Sequence, residues 1–381
     1  MTGSVGEVAR LFLKLGLIAF GGPAAHIALM REEIVRRRGW VSDERFLDLV
    51  GMANLIPGPT STEVCIYLGY VRAGWPGLIV AGVCFIVPAM LLVLALAWLY
   101  VRYGATPSAA AAMYGITPVI IAIVAQALWA LGRTAVKGPL LAAIGVAVLA
   151  LALAGLNVLV LLLGGGVVVM LLRAAPRRRA ATAAMLATLG MPLLAFGETA
   201  AARAAVPLGT LFLTFVKIGA VLYGSGYVLL AFLRSDFVDR LGWLTDRQLL
   251  DAVAVGQFTP GPVFTTATFI GYLLAGWPGA LLSTLAIFLP SFVLVAASYP
   301  LLPRIRGSRW MSAFLDGVNV AAVGLMAAVT WQLARAAIVD VFTAALAVVA
   351  AVLLLRTRLN SAWLVLGGAA AGLVFRQLVL R

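Results

Sequence analysis

Charge is scarce in this chain. Only 11% of its 381 residues are Asp, Glu, Lys or Arg, whereas 63% are hydrophobic and the mean hydropathy is +1.08. So little charge cannot cover a water-facing surface, which excludes a soluble globular protein and places the chain in a bilayer. Histidine occurs once, at His26, and cysteine twice, at Cys65 and Cys84. Two cysteines in apolar segments without metal-ligand spacing make neither a disulfide framework nor a zinc site and are read as packing residues. The sequence has no His/Cys/carboxylate cluster, no nucleophile paired with a base and no nucleotide loop, which argues against an enzyme and indicates no cofactor and no metal. Acidic residues number 14 against 28 basic ones, a net charge of +14. That excess is almost wholly arginine clustered at the ends of apolar runs, a pattern of membrane topology rather than of nucleic-acid binding.

What the chain does have is long charge-free runs: Ala73 to Val101, Tyr103 to Gly132, Leu140 to Leu172 and Ala252 to Pro303. Each is long enough to span a bilayer. The run from Leu140 to Leu172 is too long for one span and is expected to turn at Gly155-Leu156-Asn157. The first apolar segment, Val8 to Met30, carries Lys14 and recurs later in the chain, so it reads as part of the mature fold rather than a cleaved signal.

Much of the sequence is written twice. Lys14 to Pro59 reappears as Lys217 to Pro262 at a shift of about 203, and after the loss of one residue Gly74-Trp75-Pro76-Gly77 pairs with Gly276-Trp277-Pro278-Gly279. Two copies of one apolar unit rich in helix-breaking Gly and Pro are the mark of a secondary transporter built from structural repeats. The expected fold is an all-α integral membrane protein: a first repeat over 1–175, a linker over 176–206 and a second repeat over 207–381, with about 10–12 transmembrane or re-entrant helices. The basic residues of the first repeat fall on one side if Phe46 to Tyr70 dips in and returns without crossing. In the second repeat the arginine-rich side is swapped. This predicts inverted repeats, with an odd number of crossings in each and a join from Ala180 to Val206 that does not cross.

Several residues could carry chemistry. Lys14 and Lys217 occupy matched positions seven residues before a glycine motif, and an intramembrane lysine must snorkel, pair or face a polar cavity. Their duplication suggests an anion bound from two sides. Pro57-Gly58-Pro59 and Pro260-Gly261-Pro262 should interrupt a helix and start a new one. The first turns beyond them carry Thr60, Ser61 and Thr62 in one copy and Thr265 and Thr266 in the other, so amides and hydroxyls would converge on an oxyanion. Gly21 and Gly22, matched by Gly224 and Ser225, are read as opposing breaks. Asn54 and Gln257 are equivalent amides able to donate to an oxygen ligand or to a neighbouring helix. Glu63 has no acidic counterpart; it is a candidate proton carrier, with a salt bridge to Lys14 as the alternative. His26 is a second proton-coupling candidate, otherwise interfacial. The loops at Trp40 and Trp243 are expected to form short amphipathic helices on the membrane surface, capped by Ser42 and Thr245.

Phe-Gly-Gly-Pro at Phe20 to Pro23, the Arg31 to Trp40 loop, Pro57 to Thr62, Gly74 to Gly77 and their second copies together resemble the chromate transporter family over nearly the whole chain. The resemblance implies a two-domain, multi-pass inner-membrane protein of a bacterium or archaeon that exports chromate, driven by the membrane potential or proton gradient, and so gives chromate resistance. Sulfate is the isosteric competitor, and a sulfate or other oxyanion carrier is the alternative reading, with a non-transport scaffold further behind. The partners implied are chromate and the lipid bilayer, without nucleic acid; a homodimer stays open. The second copy departs at Ser225-Gly226 and in lacking Glu63, which puts a symmetric two-site mechanism in doubt.

Overall fold

The computed structural model describes residues 3–174, 206–223, 226, 228–305, 309–357 and 361–379, and among them every regular element is helical. In the first repeat these are α1 (Val5–Ile18), α2 (Gly22–Met30) with a π-helical continuation Arg31–Arg36, α3 (Asp43–Ala53), α4 (Thr60–Tyr103), α5 (Pro107–Ala135), α6 (Pro139–Leu153) and α7 (Val158–Ala174). The second repeat answers with α8 (Leu208–Val221), α9 (Leu229–Leu233) and its π continuation Arg234–Arg240, α10 (Asp246–Phe258), a 3-10 turn Val263–Thr265, α11 (Thr266–Ile305), α12 (Arg309–Ala337), α13 (Val341–Arg356) and α14 (Ser361–Val379). Among the described residues, five helices are long and apolar enough to cross a membrane. The sequence signals that start helices act as expected: Ser42 Oγ accepts from the Arg45 amide, Thr245 forms a capping box with Gln248, and Gly155 (φ +89°) turns the chain between α6 and α7.

The two longest helices are each folded in half. In α4 the path breaks at Ala73 and Gly74 (φ +63°, ψ −150°), a conformation that glycine adopts without steric cost. Beyond the break the chain doubles back, so Gly69 packs backbone to backbone on Gly77 and Cys65 Sγ donates to the Ala81 carbonyl at 3.2 Å. Arms 60–72 and 75–103 are therefore antiparallel. α11 repeats the device at Ala275 and Gly276, with the hydroxyls of Thr268 and Thr284 joined at 2.7 Å. Trp75 and Trp277 stand exposed at the two turns, as aromatic anchors at an interface do. Glu7, near the start of α1, accepts from Trp40 Nε1 at 3.2 Å and from Arg72 Nη2 at 2.8 Å. The stretch between Trp40 and Arg72 thus leaves and returns to one end of the bundle, as a re-entrant segment must.

The repeats are inverted. Gly82 faces Phe292, Tyr67 Oη and Ser298 Oγ meet at 2.5 Å, and Tyr70 packs on Tyr299 with centroids 4.6 Å apart. At the other end Tyr100 donates to Asp251 at 2.7 Å and packs on Phe269. Arms 75–103 and 277–305 consequently run in opposite directions. The count of crossings differs from expectation. Arm 75–103, α5, α6 and α7 traverse the bundle four times, an even number, returning Arg173 to the end that holds Arg72, where it pairs with Asp316 at 2.5 Å. α8 lies along arm 277–305, with Gly219 on Ile287, so Leu208 sits at the opposite end, beside the Gly276 turn. The predicted odd count is thereby corrected; the Ala180 to Val206 join lies outside the described residues.

Neither repeat closes its own core. α12 packs on α6 and α7 of the first repeat, and α5 on α13 and α14 of the second. Small residues let the backbones touch: Gly115 meets Gly368 and Gly372, Gly317 meets Gly165 and Gly166, and Gly324 meets Gly145. In lipid, where apolar side chains gain little by leaving the solvent, such close approach is what holds helices together. The same interlocking corrects the surface placement expected of the Trp243 helix. α10 is buried, Leu249 to Ala254 without interruption, because Tyr100 and the second-repeat helices cover it.

Candidate functional site

Four helix interruptions converge. α1 ends at Ile18, and Gly21 and Gly22 (φ +100° and +80°) turn the chain into α2. Glu33, reached through α2, lies beside Lys14, so the chain heads back the way α1 came. In the second copy the helix ends at Val221 and resumes at Leu229. Gly224 and Ser225, expected at that break, lie outside the described residues. Between α3 and α4 the Pro57-Gly58-Pro59 element sets Gly58 at φ +139°, and Gly261 stands at +88° in the other copy.

The interruptions are tied across the repeats. The Gly58 amide donates to the Leu222 carbonyl at 2.7 Å, and the Gly261 amide to the Ala19 carbonyl at 2.8 Å. Each carbonyl is one that a broken helix leaves open, and each amide belongs to the loop before a new helix. Buried backbone groups freed by helix breaks in an apolar medium need such partners. Just beyond, the amides of Thr62 and Glu63 bond to the Pro59 carbonyl, while those of Thr60 and Ser61 open the helix with no carbonyl behind them.

Glu63 sits at this junction, fully buried, with neither carboxyl oxygen hydrogen-bonded. A Cβ on Gly58 would strike Glu63 Oε1 and Ser291 Oγ, which places both side chains on that glycine. The hydroxyls of Thr62 and Ser291 are buried without a partner as well. Thr60 and Ser61 are buried beside them. In the second copy the hydroxyls are engaged: Thr265 donates to the Pro262 carbonyl at 2.9 Å and Thr266 to the Val263 carbonyl at 2.8 Å.

The lysines stand apart from this cluster. Lys14 Nζ is 2.9 Å from Glu33, which also holds Arg37 and Arg38, and Lys217 Nζ is 2.5 Å from Asp236, which also holds Arg240 at 3.0 Å. The Lys14 to Glu63 bridge is therefore not formed. Sequence reasoning missed Glu33 and Asp236, although both acids sit at the 203-residue shift that singled out the lysines. It missed Ser291 because its first-repeat equivalent is Ala89, and it looked only for features present twice. His26 is buried rather than interfacial, its Nε2 3.0 Å from the Ala19 carbonyl and its ring edge-on to Phe85, because the Gly21 turn points α2 inward. The two amides part company: Asn54 is exposed at the end of α3, whereas Gln257 is buried.

Outside the apolar core the arginine loops are ordered by matched pairs. Arg31 grips Asp43 through two nitrogens, and Arg234 grips Asp246 at 2.8 Å. The Arg31 guanidinium holds the Asp43 carboxyl below its usual range.

The sequence matches the family model described as Chromate transporter over residues 6–170 and again over 209–373. A chromate transport protein of Cupriavidus metallidurans is 36% identical over 370 residues, covering 97% of this chain and 92% of that protein. A probable chromate transport protein of Synechococcus elongatus is 33% identical, covering 89% and 87%. A chromate transport protein of Pseudomonas aeruginosa is 34% identical, covering 85% and 80%. No solved structure matches.

Proposed function

The chain belongs to the chromate transporter family, a multi-pass membrane transporter rather than an enzyme, and from that premise we propose that it exports chromate across the inner membrane by alternating access and so confers chromate resistance. The observation that carries the reading is the reciprocal pair of bonds from Gly58 to Leu222 and from Gly261 to Ala19. Four interrupted helices meet there, and at that junction each repeat donates one loop amide to a carbonyl that a broken helix of the other leaves open. A junction of this kind is a pivot: the interrupted helices shift about it, and a ligand held on it faces one side and then the other.

The anion is held by the open amides of Thr60 and Ser61, the first-turn hydroxyls beside them and the positive end of the 60–72 arm. Lys14 and Lys217, each neutralised in part by a carboxylate but accompanied by arginines, raise the positive potential at the approaches rather than touch the anion. The end bearing Arg31, Arg36, Arg37, Arg38, Arg45, Arg72, Arg133, Lys137 and Arg173 faces the cytoplasm, following the bias of positive residues toward that side. Export of a dianion from a negatively charged interior is driven by the membrane potential, about 2.3 kcal/mol per charge per 100 mV.

Purified protein in proteoliposomes should show saturable chromate flux that responds to an imposed potential, with sulfate as competitor. Absence of flux for either anion, in protein shown to be folded, overturns the proposal. Sulfate displacing chromate at far lower concentration than chromate displaces sulfate would make this a sulfate carrier.

A further inference from the structure

The acid and the serine gathered on Gly58 have no counterparts on Gly261. Ser291 near Gly58 is replaced, at a shift of 202, by Ala89 near Gly261, and a Cβ on Gly261 would meet that alanine and the Gly16 carbonyl. Where Glu63 stands the second copy has Thr265 or Thr266, and each of those hydroxyls has given its single proton to a carbonyl, of Pro262 and of Val263. The Gly58 junction keeps unspent donors: the Thr62 hydroxyl and, reaching in from the second repeat, that of Ser291, both fully buried and unpartnered.

Glu63 shares that space. At the fourth position of the arm its side chain leans toward the helix start, which swings the carboxyl back over Gly58. It accepts neither the Thr60 nor the Ser61 amide, so the helix start stays free for a ligand. Tyr67, bonded to Ser298, and Tyr223, from the break after α8, are the titratable groups near it. Of the charges on the neighbouring elements, Lys14 is held by Glu33, and His26 is held on the Ala19 carbonyl; no charged side chain among the described residues acts on Glu63.

Building on the transporter reading, we infer that the chain has one oxyanion site rather than two, at the start of the 60–72 arm, and that Glu63 occupies it with the anion as a neutral carboxylic acid. An ionised Glu63 and a dianion enclosed together without a cation would repel strongly in a low dielectric. The neutral acid instead donates its O–H to the anion, as the Thr62 and Ser291 hydroxyls do. Each dianion therefore travels with one proton, and a single net negative charge moves per cycle. The membrane potential drives that movement outward.

Chromate binding to the full chain in nanodiscs, followed across the neutral pH range, tests this. Saturation should come at one chromate per chain; two overturn the inference. Wild-type affinity should fall by up to about tenfold per pH unit more than that of Glu63→Gln, the limit for one linked proton. Because chromate itself takes up a proton in this range, the Glu63→Gln profile carries that background; parallel profiles overturn the inference. Thr62→Val should weaken binding more than Thr265→Val does, and the reverse order overturns the assignment to the first copy. A trapped pH dye in wild-type proteoliposomes needs no variant: chromate entry should acidify the lumen, whereas a bare dianion takes up lumenal protons and alkalinises it. Wild type that neither binds nor moves chromate at any pH would instead bring down the transporter reading.

Discussion

The Gly58 amide and the Leu222 carbonyl lie 2.7 Å apart, and the same bond is made between the equivalent residues Gly261 and Ala19 at 2.8 Å. The polypeptide thus holds its centre by a backbone contact that no side chain reports. Altering it requires altering the glycine.

Gly58→Ala should reduce chromate flux at least tenfold. The added Cβ meets Glu63 and Ser291 and must adopt φ near +139°. Gly39→Ala is the control, since its φ of +59° lies over open space; it should cost about 1 kcal/mol of stability from left-handed strain alone and leave flux intact. Flux assays on monodisperse protein compare the two.

Lys217→Met should be tolerated, at a cost near 1 kcal/mol, because Arg240 remains on Asp236. Lys217→Met with Arg240→Met leaves the buried Asp236 without a cation and should cost about 3 kcal/mol, more than the two single changes together. A double-mutant cycle on unfolding in detergent measures the coupling. If the lysine contacts chromate directly, Lys217→Met will abolish flux while barely moving stability.

The interlocked repeats predict that Gly115→Leu, which forces α5 off Gly368 and Gly372, destabilises the protein by roughly 2–3 kcal/mol. A protease site inserted near residue 190 should leave the two halves co-purifying after cleavage, because α5 and α12 each bury their faces in the other half. Halves that part on cleavage would contradict the packing.

Asp340 caps α13, accepting from the Thr343 amide at 2.8 Å and from Tyr114 Oη, and these bonds hold its carboxyl below 3.8. A depressed folded-state value contributes stability that is present above the unfolded value of 3.8 and lost as pH falls below it. Hydrogen-exchange protection in the first turn of α13, relative to the intrinsic rate at each pH, should therefore fall on acidification below 3.8, and in Asp340→Ala it should be low at all pH.

Much of this architecture is legible in the sequence because helix breaks are local events. Gly21-Gly22, the two Pro-Gly-Pro elements and the Gly155 turn each act through backbone geometry that glycine and proline dictate on their own. The duplication then orders them in pairs. Tertiary consequences were harder to read. The burial of α10 depends on Tyr100 arriving from the other repeat, and a capped amphipathic helix looks the same in sequence whether its apolar face meets lipid or protein. The lysines drew attention by repetition, but which carboxylate each finds depends on the chain reversing at Gly21. Ser291 carries no signal at all: a serine in an apolar helix becomes informative only when Gly58 and Glu63 are found against it.

The bonds from Gly58 to Leu222 and from Gly261 to Ala19 are one interaction written twice with the partners exchanged. A half-length ancestor able to insert into the membrane in either orientation would be self-complementary: two copies in opposite senses supply both donors and both acceptors. Joining the copies in one gene fixes their opposed orientations permanently, and it frees each to drift alone. The acid at Glu63 facing Ala89's counterpart Ser291, with nothing comparable in the other half, is what that freedom has left behind.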